Sequence, residues 1–270
     1  MYDRVFKAIF TKESNKDLLK KFIDTALQID CEIINVTTSE LPVDNVMEKV
    51  KIIDVIVEIK DKKVLIEINN NLDYAKFLLR NSIYLMKSYT SDLDKGKDYE
   101  SLLPHIQINI SKNMPNFPAV SEYGWLPKQE GVPRILDNLS MIIFNMDKMN
   151  KKWYTENKKY EFFEILNATK ENIHKISEGD EYMEKYEKEV TRLNEDKDFM
   201  QKMMAQEENE RLYLTAMNEA RKKGYTEGIA QEKAKREEMV KSFYEQKFPI
   251  EAIEKASGLS REDILEIVGK

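Results

Sequence analysis

Apolar residues at helical spacing open the chain. Val5, Phe6, Ile9 and Phe10 fall on one side of a helix over residues 3–10. A second series with the same spacing predicts a helix over residues 15–28; its members are Leu18, Leu19, Phe22, Ile23 and Leu27. We expect these two helices to pack together.

Two β-branched apolar runs follow, Val50–Ile59 and Val64–Ile68. Before them, Thr38 and Ser39 indicate a polar turn. Runs rich in Val and Ile are typical of strands, so the sequence predicts two strands joined by a hairpin at Lys60–Lys63.

The next segments complete an α/β pattern. Aromatic and leucine side chains at helical spacing predict a helix over residues 73–93, and alternation over 103–110 predicts a strand. A further strand is expected at 141–146, with helical structure from about Trp153. The order strand, strand, helix, strand predicts a mixed central sheet flanked by helices.

The composition changes after about residue 175. Glu, Lys, Asp, Met and Gln dominate residues 178–236, where a short series at three- and four-residue spacing predicts a coiled-coil seam. The members of this series are Met183, Tyr186, Val190 and Leu193. Three short helical patterns then fill residues 237–270.

These patterns divide the chain into three parts. We expect an α/β domain over residues 1–175, a charged, coiled-coil-like segment over 176–236, and a small trihelical unit over 237–270. The 270 residues and 41% hydrophobic content are enough for one such core with a helical extension.

Charge and cysteine content exclude several classes of protein. A net charge of −6 argues against coating nucleic acid by bulk electrostatics, although a local nucleic-acid site is still compatible with it. Cys31 is the one cysteine, so no internal disulfide can form, and the first ten residues lack the features of a secretory signal. No apolar run approaches the roughly 20 residues that span a bilayer. We therefore expect a cytoplasmic protein with no membrane role.

Two carboxylates interrupt the apolar runs, Asp54 and Glu67. A buried ionised carboxylate is costly unless it is paired, hydrogen-bonded or bound to a metal. With a hairpin loop of two or four residues, Asp54 and Glu67 share a face with Asn69, and Asp54 lies opposite Asn69 and beside Glu67. A three-residue loop would place the acids on opposite faces.

Two explanations of these acids stay open. They could form structural ion pairs with Lys51 or Lys63, or they could hold Mg²⁺, which prefers oxygen ligands and often uses only one or two carboxylates plus substrate phosphate. Bound Mg²⁺ could support phosphodiester hydrolysis, with residue 69 hydrogen-bonded to the attacking water or to a phosphate oxygen.

Other chemistries are poorly supported. His105 and His174 are the only histidines, so with one cysteine there is no ligand set for a Cys/His zinc site. Neither histidine accompanies a Gly-x-Ser-x-Gly motif, and His105 fits as an ordinary strand residue. The chain also lacks the glycine-rich phosphate-binding motifs, so we expect no nucleotide cofactor.

The order Asp54, then Glu67-Ile68-Asn69, on consecutive strands after an N-terminal helix is similar to the PD-(D/E)XK nuclease superfamily. The wider sequence resembles the bacterial Rpn-type recombination-promoting nucleases, also called PD-(D/E)XK nuclease family transposases, over roughly residues 1–175. Four segments carry this second resemblance: Tyr2–Phe10, Arg80–Tyr84, Gly96–Tyr99 and Pro104–Ile110.

The resemblance implies a restriction-endonuclease-like core and metal-dependent cleavage of DNA. Asp54 and Glu67 would be the metal ligands, with Asn69 as the third catalytic position. The superfamily usually has Lys at that position and the Rpn-type branch commonly has Gln. Asn69 is shorter than Gln and uncharged, so water activation would be weaker or would come from the metal alone.

Three further residues could support this site. Asp3 could cap the first helix or approach the metal. Lys7 could supply the positive charge missing at residue 69 or lie on a solvated helix face. Arg80, one turn from Tyr84, could contact phosphate or support the strands. Glu58 lies beside the hairpin turn, which favours solvent exposure.

The C-terminal unit has the spacing of a helix-turn-helix, but its acidic balance equally favours packing or oligomerisation. The leading hypothesis is therefore a cytoplasmic, Mg²⁺-dependent DNA endonuclease, with Mn²⁺ as a substitute ion, that forms a homodimer through its helical extension. The alternative is a weak or inactive nuclease relative that binds DNA or a protein through its helical tail.

Overall fold

The computed structural model describes residues 3–41, 51–70, 74–93, 98–99, 102–125 and 136–269. The chain divides into two compact units, residues 1–200 and 201–270. The three-part division at residues 175 and 236 stays a prediction.

Helices predicted at the N-terminus are present. They are α1 (Asp3–Phe10) and α2 (Lys16–Leu27), joined by a 3-10 helix at Glu13–Asn15. Their apolar faces meet around Phe22, whose ring lies 5.2 Å from Phe6 and 5.5 Å from Phe10 between centroids. Aromatic burial of this kind anchors both helices on the same side of the sheet.

Within the described residues, the sheet has six strands in the order β1-β2-β3-β4-β6-β5. β4 runs parallel to β3 and to β6, and the other neighbours are antiparallel, which confirms the predicted mixed sheet. The strands are β1 (Ile33–Leu41), β2 (Lys51–Ile59), β3 (Lys62–Asn70), β4 (His105–Lys112), β5 (Val120–Trp125) and β6 (Leu136–Asn145).

Both edge strands differ from the sequence prediction. The polar turn expected at Thr38 and Ser39 is wrong, because these residues belong to β1. β5 was not predicted. Bulges interrupt the pairing of β1 with β2, and β5 is only partly buried. Neither edge strand therefore has the regular apolar alternation by which strands are predicted.

Helix α3 (Tyr74–Ser91) covers one face of the sheet, and α1 and α2 cover the other. The α3 face buries Ile56, Leu65 and Phe77, whereas the opposite face buries Val57, Ile66 and the N-terminal aromatic residues. Helix α4 (Lys151–Glu156), a 3-10 helix (Lys158–Asn167) and α5 (Ile173–Ser177) follow the last strand.

Helix α6 (Glu181–Glu195) uses its apolar stripe differently from the prediction. Met183, Tyr186 and Leu193 are buried in the core of the first unit, and Val190 packs against that core. The Tyr186 ring lies 5.9 Å from the Phe10 ring, between centroids. The predicted coiled-coil seam is therefore wrong, because this stripe completes the α/β core.

Helix α7 (Lys197–Glu245) is followed by α8 (Ile250–Ser257) and α9 (Arg261–Ile267). Val240, Ile253 and Ile264, one from each helix, form a small buried cluster. Ser260 caps α9 in a capping box with Asp263. Among the described residues, no helix combines the length and apolar character that crossing a membrane requires.

Candidate active site

Asp54 lies at an irregularity in β2. Thr37 of β1 pairs with Ile56 and Ser39 pairs with Ile53, so two β2 residues, Asp54 and Val55, oppose a single β1 residue. This arrangement is a β-bulge, which bends a strand and redirects a side chain. The bulge therefore sets the direction of the Asp54 side chain.

The hairpin between β2 and β3 has a two-residue loop, because Ile59 pairs with Lys62. The last β2–β3 pair in this register is Val55 with Ile66. The next position along both strands places Asp54 level with Glu67. The predicted position of Asp54 opposite Asn69 is therefore wrong by two residues of β3. The prediction allowed a loop of two or four residues, and the loop present has two.

The Asp54 carboxylate is 7% exposed and both of its oxygens have contacts. Oδ1 lies 2.9 Å from Lys7 Nζ, which comes from α1. Oδ2 accepts a hydrogen bond of 2.7 Å from the backbone N–H of Ile68. Because Ile68 lies between Glu67 and Asn69 in β3, this bond fixes Asp54 next to both.

Glu67 and Asn69 are 5% and 7% exposed. Asn69 Oδ1 accepts a hydrogen bond from Arg80 Nη2 of α3. The Arg80 guanidinium also lies over the Tyr84 ring, at 5.9 Å from its centroid. Arg80 therefore connects α3 to the third position of the motif, and Tyr84 supports Arg80.

Asp54, Glu67 and Asn69 lie at neighbouring positions of β2 and β3. Lys7 reaches Asp54 from α1 and Arg80 reaches Asn69 from α3, and these helices cover opposite faces of the sheet. The side chain of Asp3 lies outside the described residues, as does that of Lys51. The Lys7 side chain is 29% exposed and paired with Asp54, so it is only partly solvated.

Lys63 does not pair with either acid of the motif. It contacts Asp92, and its Nζ lies 4.0 Å from Glu58, whose side chain is 43% exposed. Burial raises the pKa of Asp92, but the contacts with His105 and Lys63 outweigh this and hold the pKa below its usual value. His105 is a buried residue of β4, as predicted. Lys63 thus belongs to a separate charge cluster.

A row of buried polar residues on β4 borders the site and was missed from the sequence. Gln107, Asn109 and Ser111 are each 0% exposed, and parallel pairing places Asn109 level with Glu67 and Ser111 level with Asn69. Besides the family resemblance of Pro104–Ile110, the signal in the sequence is their alternation with Ile108 and Ile110. A strand with one solvent-exposed face gives the same alternation.

The donor set fits a hard divalent cation. Asp54 and Glu67 offer carboxylate oxygens, which Mg²⁺ and Mn²⁺ prefer, and both are more than nine-tenths buried. In the parts of the chain that the structure describes, no three His, Cys, Asp or Glu side chains come together as a metal cluster. A metal here would rely on the two acids, with water and substrate supplying the other ligands.

The mixed six-strand sheet with flanking helices, carrying two acids on consecutive strands, is a PD-(D/E)XK restriction-endonuclease-like fold. The sequence model of the PD-(D/E)XK nuclease family transposases matches residues 1–220. The chain belongs to this family, which confirms the resemblance found in the sequence. Comparisons with curated proteins and with solved structures gave no match. Membership supports a nuclease linked to mobile elements, and nucleases of this type generally use divalent metals.

Proposed function

We propose that the protein is a Mg²⁺-dependent DNA endonuclease, with Mn²⁺ as a substitute ion, that acts in recombination or mobile-element movement. The observation that carries this proposal is the buried pair of carboxylates, Asp54 and Glu67, level with each other on adjacent strands in a chain of a nuclease family. A cytoplasmic location remains a prediction from the sequence.

Asp54 and Glu67 would hold the ion. When bound, a divalent metal neutralises charge on phosphoryl oxygens and lowers the pKa of a bound water. The bulge and the Ile68 N–H hold the Asp54 carboxylate in place, which favours its role as a fixed ligand.

Lys7 and Arg80 supply the positive charge that residue 69 lacks. The Lys7 ammonium contacts the Asp54 carboxylate, and the Arg80 guanidinium contacts Asn69, so each cation lies beside one residue of the motif. Arginine binds phosphate well because its donors form a planar fork. We assign both residues to phosphate binding.

Asn69 would act as a donor. Its oxygen is occupied by Arg80, and in the described part of the chain its Nδ2 has no hydrogen-bond partner. An N–H donor suits a phosphate oxygen, whereas it cannot accept a proton from an attacking water. Asn69 would therefore orient the substrate and leave water activation to the metal.

Incubation of the full chain with supercoiled plasmid tests this function. We expect nicked and then linear DNA in Mg²⁺ or Mn²⁺, and uncut DNA in EDTA or after Asp54→Asn. Cleavage that survives both EDTA and Asp54→Asn would contradict the proposal. So would the absence of cleavage in either metal.

Position 69 favours a second candidate function. Without Lys at that position, the protein would be a weak or inactive nuclease relative that binds DNA or a protein through its helical tail. No cleavage, together with no detectable Mn²⁺ binding by calorimetry, would favour this candidate over the endonuclease.

We also propose that the chain forms a homodimer through α7. Several large apolar side chains of α7 are at least 38% exposed. Leu214, Met217, Tyr225 and Ile229 fall on one side of the helix, whereas Leu212 and Tyr213 are exposed on other sides. Apolar residues along one side of a polar helix are typical of a helix–helix contact. Light scattering should give twice the chain mass of 31.8 kDa, and a monomer mass would overturn the proposal.

A further inference from the structure

The side-chain amide of Asn109 is a buried hydrogen-bond donor with no role in the proposed function. The residue is 0% exposed, and in the described part of the chain its Nδ2 has no hydrogen-bond partner. Buried polar atoms are nearly always hydrogen-bonded, and leaving one without a partner destabilises the folded state. An unsatisfied donor beside a candidate active site therefore needs an explanation.

The direction of this donor follows from a chain of hydrogen bonds that begins at a backbone carbonyl. Asn81 Nδ2 donates to the Phe77 carbonyl oxygen at 2.9 Å, and a carbonyl can only accept. Asn81 Oδ1 must then accept, and it accepts from Gln107 Nε2 at 2.6 Å. Gln107 Nε2 also lies 3.3 Å from Asn109 Oδ1. Asn109 therefore presents its oxygen to Gln107 and directs Nδ2 away from it.

Glu67 is the acid level with this donor. β3 and β4 are parallel neighbours, and Glu67 pairs with Asn109 in their register. Paired residues of adjacent strands point to the same face, and strands lie about 4.8 Å apart, so the two side chains are within hydrogen-bonding reach. A carboxylate accepts N–H donors, whereas a metal-bound water mainly donates, so the donor matches the acid better than it matches the hydration shell.

We propose that Asn109 is a positioning residue for Glu67. Its Nδ2–H donates to the Glu67 carboxylate when the acid turns to bind the metal, and it holds the acid in that orientation. Asn109 touches neither metal nor substrate in this arrangement. This inference rests on the proposed function, because it assigns a partner to the second metal ligand.

Substitutions at residue 109 test the donor directly by Mn²⁺ calorimetry on the full chain. Asn109→Leu has a similar shape and no donor, and we expect Mn²⁺ binding about tenfold weaker, as is usual when a group that orients a metal ligand is lost. Asn109→Thr keeps a hydroxyl donor, and its Mn²⁺ affinity should stay within about threefold of the wild type.

Asn15→Asp separates positioning from general stability. Asn15 is also buried, at 1% exposure, and its Nδ2 donates to the Ile9 carbonyl oxygen at 2.9 Å, away from Glu67. We expect this variant to melt at a lower temperature while it binds Mn²⁺ as the wild type does.

The outcomes distinguish this inference from the proposed function. If the wild type binds Mn²⁺ and Asn109→Leu binds it equally well, only the role of Asn109 is overturned. The same holds if Asn109→Thr is as weak as Asn109→Leu, because the loss would then not depend on a donor. If the wild type binds no Mn²⁺, the proposed function and this inference both fall.

Discussion

Replacing Glu67 by glutamine should reduce Mg²⁺-dependent plasmid cleavage about a thousandfold. The substitution keeps the shape of the side chain and removes the charge, so it tests Glu67 as a metal ligand with little effect on packing. A metal contributes several kcal/mol of charge stabilisation in the transition state, and a loss of about 4 kcal/mol corresponds to about a thousandfold in rate. The measurement is the initial rate of supercoiled plasmid loss at fixed Mg²⁺.

Glu58→Gln is the matched control. Glu58 is on the neighbouring strand β2, beside the hairpin turn, and its side chain is 43% exposed. Its removal should leave cleavage unchanged within about twofold, because an exposed acid makes a small electrostatic contribution. Equal rates for the wild type and Glu67→Gln would remove Glu67 from the site.

Lys7→Met should change cleavage and metal binding in opposite directions. The cleavage rate should fall about a hundredfold, which is the usual effect of removing one group that stabilises developing charge. The Mn²⁺ affinity should rise about fivefold, because the Asp54 carboxylate would no longer be paired with a cation. That rise corresponds to about 1 kcal/mol, a value suited to a partly exposed ion pair. Plasmid cleavage and calorimetry on the same preparation measure the two effects.

Lys12→Met provides a comparable change away from the site. Lys12 Nζ lies 2.9 Å from Glu189 Oε1, the same distance that separates Lys7 from Asp54. We expect Lys12→Met to affect neither cleavage nor Mn²⁺ affinity. If Lys7→Met behaves like Lys12→Met, then Lys7 is a structural residue and phosphate binding must rest on other cations.

Periodicity predicted the main elements of the first unit because they have strong apolar faces. One apolar face is buried in each of helices α1, α2 and α3 and strands β2, β3 and β4. Such a face is visible in the sequence as regularly spaced apolar residues. The stripe on α6 was detected but assigned to a coiled coil. Spacing shows that a helix face is apolar, and it does not show which surface that face meets.

The two candidate acids could be singled out from the sequence, but the structure around them could not. Acids in apolar strands identified Asp54 and Glu67, since burying a charge requires compensation. The bulge at Asp54 and the two-residue loop depend on strand pairing, and the loop has no glycine that would indicate its turn type. Lys7 reaches Asp54, and Asn109 lies level with Glu67, only through tertiary packing, so neither placement could be derived from local patterns.

Anomalous scattering from crystals soaked in Mn²⁺ tests the central claim most directly, namely that Asp54 and Glu67 hold the metal. The account predicts one strong peak per chain, at about 2.1 Å from an oxygen of each carboxylate, and no peak there in Glu67→Gln crystals. A peak that avoids both acids, or no peak in crystals of the wild type, would contradict it.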